Sequence, residues 1–159
     1  MTGSDDLIRQ ARSVTAGGLP KSPRKSTSVI ACIDSRVEPA RILGGEPGDY
    51  HIIRNAGGLV TDDALRSLMV SQYHGTMRVI VMMHTDCAAM AYPADSERAR
   101  LEATTGERIP FDLHPFNDLE GTLRAGVQRL RETPWLPQRD FVRGAIYDVE
   151  TGRVRMVVE

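Results

Sequence analysis

Two short stretches of the chain carry residues able to hold a metal ion: Cys32-Ile33-Asp34-Ser35-Arg36 and His84-Thr85-Asp86-Cys87. Cys32 and Cys87 are the only cysteines. Two thiolates and one imidazole suit Zn2+, and three protein ligands leave a fourth tetrahedral position for water, the mark of a catalytic zinc. The thiolates cancel the ion's charge, so it is a weaker Lewis acid than a zinc held by three histidines. Water on such an ion needs help to ionise, in a range of about pH 7 to 9. Asp34 is placed to help by accepting a hydrogen bond from that water. Arg36 keeps Asp34 ionised through a charge-assisted pair and holds it off the metal. If that pair breaks, Asp34 can itself become the fourth ligand and shut the site.

Other chemistries use the same residue types. A cysteine in an apolar strand is most often a small buried hydrophobe. His-x-x-Cys alone has many chance matches, and two cysteines also suit thiol redox. Asp34 and Arg36 by themselves would most often be a surface ion pair of little worth. The conjunction favours a metal, because both cysteines stand beside acid, base and histidine. The remaining histidines have local explanations: His51 at a strand start, His74 at a helix C-terminus and His114 in a Pro-flanked loop. Each could also carry protons. Asp62 and Asp63 fit the first turn of a helix, Asp86 can cap the turn that follows it, and Met69, Met77, Met82 and Met83 fit core positions.

The elements that must position these residues alternate between strand and helix. Residues 28–34 (SVIACID) form a nearly continuous apolar run, as in a strand covered on both faces. Residues 50–54 and 77–83 are further strands, and 38–43 a short helix. Residues 61–74 form a helix with Thr61 as cap and Gly75 at its stop. Residues 96–105 and 117–131 are helices, the second capped by Asn117 with Glu120 three residues on. Residues 141–149 and 153–158 are strands joined by a turn through Thr151 and Gly152. Alternate residues of a strand share a face, so Cys32, Asp34 and Arg36 are expected on one side of the first strand's end. His84 and Cys87 follow the third strand at the matching end, where open α/β sheets collect ligands. Neighbouring strands lie about 4.8 Å apart. Ligand atoms on one zinc are roughly 3.5 Å from each other, so side chains from two adjacent strands can share the ion. The alternation predicts a parallel sheet with helices on both faces and an antiparallel hairpin at its edge.

The 159 residues suit one domain, and a formal net charge of −1 favours neither nucleic acid nor an acidic membrane as partner. No apolar run approaches the roughly 20 residues that span a bilayer. The polar N-terminus does not read as a secretory signal, so a cytoplasmic location is the expectation. Residues 5–14 have helical spacing, with Ser4 as cap and with Leu7, Ile8, Ala11 and Val14 on one side; residues 16–27 read as an arm.

These residues resemble the β-class carbonic anhydrases. That family's motif is Cys-x-Asp-x-Arg followed about fifty residues later by His-x-x-Cys, matched at 32–36 and 84–87. I-R-N-A-G-G at 53–58, T-D-D-A-L-R-S-L at 61–68 and G-A-I-Y-D-V-E-T-G at 144–152 are also similar to the family. The resemblance implies a four-stranded parallel sheet in the order 2-1-3-4 with a fifth strand at the edge. It implies a homodimer or dimer of dimers in which residues 1–27 pack on a partner subunit. It implies one Zn2+ on Cys32, His84 and Cys87, Asp34 paired with Arg36, and reversible hydration of carbon dioxide to bicarbonate by zinc-bound hydroxide. Relatives that hydrolyse carbonyl sulfide or carbon disulfide keep the same ligands, so the small-molecule substrate is left among these gases. One departure stands out: Ala88 follows the second cysteine where the family usually has glycine. A Cβ there narrows the space near the metal and disfavours positive φ.

Overall fold

The computed structural model describes residues 3–12 and 16–159. Its centre is a five-stranded sheet in the order β2-β1-β3-β4-β5, built from β1 (Thr27–Cys32), β2 (Tyr50–Asn55), β3 (Arg78–His84), β4 (Val142–Tyr147) and β5 (Val154–Val158). The first four run parallel, and β5 closes an antiparallel edge hairpin on β4. Every residue of β1 is buried, as its apolar run and central place require.

One face of the sheet is covered by α3 (Asp62–Tyr73) and α5 (Leu119–Glu132). Leu65 and Leu68 of α3 and Leu123, Val127 and Leu130 of α5 pack there on Ile30, Val81 and Met83. Thr61 caps α3 by accepting from the Ala64 N–H at 3.2 Å. The cap of α5 is Asp118, which accepts from the Gly121 N–H at 2.9 Å, and not Asn117. The ionised carboxylate is the better acceptor at a positive helix end.

The second face is more sparsely covered than the alternation suggests. Val29, Ala31 and Met82 pack with Val37 and with Ile42 of the short α2 (Pro39–Ile42). Beyond them Val154 and Met156 of β5 are exposed. Two more helices lie outside the sheet layers. α4 (Ala94–Thr105) buries only Ala94. α1 (Ser4–Arg9) is capped by Gly3 rather than Ser4 and buries no side chain among the described residues. It is shorter than its sequence pattern, of which Val14 lies outside the described residues. No helix is long and apolar enough to cross a membrane among the described residues.

Candidate metal centre

Cys32 is the last residue of β1 and His84 the last of β3, and these strands are paired neighbours. Cys87 returns on the turn after β3. The Sγ atoms of Cys32 and Cys87 are 3.8 Å apart. All three ligand atoms lie within 4.8 Å of one another, and all three residues are buried. Two sulfurs each about 2.3 Å from a tetrahedral zinc would be roughly 3.8 Å apart, so the pair already stands at the spacing of a shared ion.

His84 supplies the test of fit. Its Nδ1 lies 2.8 Å from the Thr85 carbonyl oxygen. A carbonyl only accepts, so Nδ1 carries the proton and Nε2 keeps a free lone pair. That Nε2 is the one buried side-chain nitrogen or oxygen without a hydrogen-bond partner among the described residues. A buried acceptor left bare costs free energy, and a cation facing two sulfurs satisfies it. Thr85 is itself fixed to β4. Its N–H donates to the Tyr147 carbonyl at 3.0 Å, and its Oγ1 accepts from the Val149 N–H at 3.1 Å.

The Cys32 sulfur is prepared for charge. Cys32 Sγ accepts from the N–H groups of Gly57 at 3.3 Å and Asp34 at 3.5 Å. Gly57 and Gly58, with φ of 83° and 67°, close the short turn Ala56–Gly58 that follows β2. A Cβ on Gly58 would stand 3.0 Å from the Ala31 carbonyl carbon and the Cys32 nitrogen, so only glycine lets this turn lie against β1. Burial pushes the Cys87 thiol up to about 11, and the neighbouring Cys32 sulfur adds to this. Two adjacent thiolates therefore need a cation between them.

Asp34 and Arg36 do not continue the strand. β1 ends at Cys32, and a turn closes from the Val37 N–H to the Asp34 carbonyl at 3.0 Å. The Asp34 carboxylate accepts the Arg36 backbone N–H at 2.9 Å, a local bond that competes with strand pairing. The expected shared face is thus replaced by a turn, yet the outcome for the site is the same. Arg36 grips Asp34 with Nε on Oδ1 at 3.0 Å and Nη2 on Oδ2 at 2.8 Å. These side-chain bonds, then the backbone bond, hold the Asp34 carboxyl well below the usual carboxylate range. Asp34 Oδ2 stands 3.9 Å from His84 Nε2, beside the metal position but turned to Arg36.

Several contributors carried no signal in residue type and spacing. Arg54 of β2 donates to the carbonyls of Cys32 at 2.9 Å and Asp34 at 2.7 Å, pinning the turn from below. Asp86, expected to cap a turn, accepts from Arg36 instead. Ala88 costs no backbone strain, because the positive φ of its turn, 51°, falls on Asp86. The centre opens into a cleft of about 680 Å3 whose walls include Ile33, Ala56, Ala88, Tyr92, Leu113 and His114. His114 is the one non-ligand histidine on this cleft. His51 is tied to Ser71 Oγ at 2.7 Å and the Lys21 carbonyl at 2.9 Å, and His74 terminates α3.

Comparison with known proteins agrees with this geometry. A family profile described as carbonic anhydrase matches residues 27–110. The β-carbonic anhydrase 1 of Mycobacterium tuberculosis is 34% identical over 161 residues, covering 99% of either chain. A carbon disulfide hydrolase of Acidianus is 34% identical over 165 residues, covering 87% of this chain and 79% of its own. The crystal structure of a carbonic anhydrase from Streptococcus mutans superposes with a TM-score of 0.80 at 37% identity, covering 95% of this chain and 89% of that one. With its motifs, its sheet order and its ligand cluster all in place, the chain belongs to the β-carbonic anhydrase family.

Proposed function

We propose that the chain catalyses the reversible hydration of carbon dioxide to bicarbonate, with one zinc ion on Cys32, His84 and Cys87. The observation that carries this reading is the bare, buried Nε2 of His84, facing two sulfurs, with a carboxylate held 3.9 Å away. A zinc ion bound there supplies Lewis acidity that lets water lose a proton near neutral pH. The chain's own residues do the rest. Asp34, kept ionised by Arg36, accepts a hydrogen bond from the attacking water and orients its lone pair. The carbon-lined wall of Ile33, Ala56, Ala88 and Leu113 holds a linear apolar gas and limits competing water. The released proton leaves through the cleft, where His114 is an exposed base able to pass it to buffer.

Stopped-flow hydration of carbon dioxide by zinc-loaded protein tests the reading. Catalysis is expected, and no rate above buffer at about pH 8 to 9 would overturn it. A second reading, hydrolysis of carbon disulfide or carbonyl sulfide, is favoured by one observation: the Ala88 methyl stands in the wall beside the metal position. Sulfide release from either gas would reveal it.

The same reading places the chain in the cytoplasm, where two thiolate ligands stay reduced. It takes residues 1–159 as one domain that works as a homodimer or dimer of dimers. Exposed Leu7 and Ile8 of α1 support an N-terminal segment that packs on a partner subunit.

A further inference from the structure

Arg36 is held along both of its edges. Nε and Nη2 grip the Asp34 carboxylate at 3.0 and 2.8 Å. On the other edge Nη1 donates to Asp86 Oδ2 at 2.7 Å, and Nη2 donates to the Asp86 backbone oxygen at 2.8 Å. Asp86 thus presents a carboxylate and a carbonyl to one guanidinium edge. The left-handed backbone at this residue, φ 51°, accompanies that arrangement, and aspartate tolerates it better than most residues do.

The geometry points to Asp86 as a positioning residue: through Arg36 it keeps the Asp34 carboxylate paired and away from the metal position. The inference rests on the zinc reading above and deepens it, since it names what keeps the fourth ligand position free. A planar guanidinium bound on two edges cannot swing without breaking both sets of bonds. Released from Asp86, Arg36 has a half-exposed side chain and water to pair with. Asp34 then loses its competitor, and its Oδ2 already lies 3.9 Å from His84 Nε2. The bridge also ties the turn after β1 to the turn after β3, the two segments that carry the ligands.

The bland alternative is an exposed surface acid. The Asp86 side chain is 75% exposed, and such pairs contribute little on average. A sharper alternative is competition, in which Asp86 draws Arg36 away and its loss would tighten the grip on Asp34. The three possibilities differ in the exchange rate of the Arg36 Nε proton, which is shielded by Asp34 Oδ1.

The test is hydrogen exchange of that proton, measured by NMR on full-length zinc-loaded protein and on Asp86→Asn and Asp86→Gly. Both replacements accept a left-handed backbone; asparagine removes the charge and glycine the whole acceptor. Exchange is expected to quicken by about two- to five-fold in the asparagine variant, and by more in the glycine variant. A rate equal to or slower than that of the unaltered protein in both variants overturns the inference. Cobalt-substituted samples give a second readout. Asp86→Gly should bind added anions more weakly than the unaltered protein, and adding Asp34→Ala should restore that binding, since no carboxylate is left to ligate. Anion binding that the second substitution fails to restore also overturns it. If the unaltered protein takes up no metal, the zinc reading fails alone, because the exchange measurement still reports on the bridge in metal-free protein.

Discussion

His84 sets the chemistry of the centre by dividing its two nitrogens: one is spent on the Thr85 carbonyl, the other left bare toward the two sulfurs. Asp34 makes no structural demand on the metal, since its carboxylate is held by Arg36. Asp34→Ala should therefore keep zinc, checked by elemental analysis, and lose about 10- to 100-fold in turnover, checked by stopped-flow assay. Cys87 gives a pH prediction of opposite sense with and without metal. In metal-free protein burial raises its thiol from an ordinary 9.0 to about 11. The folded chain then binds that proton more tightly than the unfolded chain does. The resulting stability is intact below pH 9.0 and is lost as pH rises to about 11. Urea midpoints of metal-free protein should fall across that window. In zinc-loaded protein the thiol must be ionised, so acid should weaken binding, and calorimetry in buffers of different ionisation enthalpy should show proton release on metal uptake. The Cys32–His84–Cys87 cluster and the Asp34–Arg36 pair were legible in the sequence, because the two cysteines stand beside acid, base and histidine where two strands run out. Arg54 and the Arg36–Asp86 bond were not, because an arginine's partner depends on which strands become neighbours.

At the level of elements, the site depends on how closely the turn after β2 lies against β1. Gly58 allows this, with φ of 67° and backbone atoms of Ala31 and Cys32 within 3.0 Å of any added Cβ. Gly58→Ala should cost ~1–3 kcal/mol of stability by urea titration, because the neighbour that must yield is backbone. It should also weaken zinc binding, since Gly57 would be pulled from Cys32 Sγ. Unchanged zinc affinity would show that this N–H···S bond is dispensable. The strands and the long helices could be read from apolar runs and helical spacing, including the Thr61 cap and the closing hairpin. Their ends could not. The run 28–34 continues past β1 on apolarity alone, but Ile33, whose N–H still donates to the Asn55 carbonyl at 3.0 Å, lies just beyond the strand and turns its side chain out as an exposed wall of the cleft. The strand stops there because Asp34 finds its partner locally in the Arg36 N–H. The unequal covering of the two sheet faces was equally hidden, because spacing shows that a helix has an apolar side but not which face it will cover.

The whole molecule leaves apolar surface that a single chain does not cover. A groove of about 570 Å3 on the second sheet face is lined by Ile80, Phe141, Val154 and Met156 and rimmed by Lys25, Arg78 and Arg143. Helix α1 offers Leu7 and Ile8 with Asp5 and Asp6 in its first turn, apolar and acidic where the groove is apolar and basic. α1 cannot hold two chains together alone. A stable interface buries about 800 Å2 on each partner, and association costs roughly 4–15 kcal/mol before any contact is made. In the proposed dimer the helix therefore acts together with the sheet face. Each of its two large side chains is worth ~1.5–3 kcal/mol when buried, and a two-fold symmetric dimer counts each of them twice. Leu7→Ser with Ile8→Ser should therefore weaken dimerisation by several orders of magnitude in Kd, read as a concentration-dependent shift to monomer in sedimentation velocity. Zinc content should stay unchanged, because no ligand lies on α1. A sedimentation profile that does not respond to the double substitution would remove α1 from the interface and leave the groove as its only candidate surface on this face.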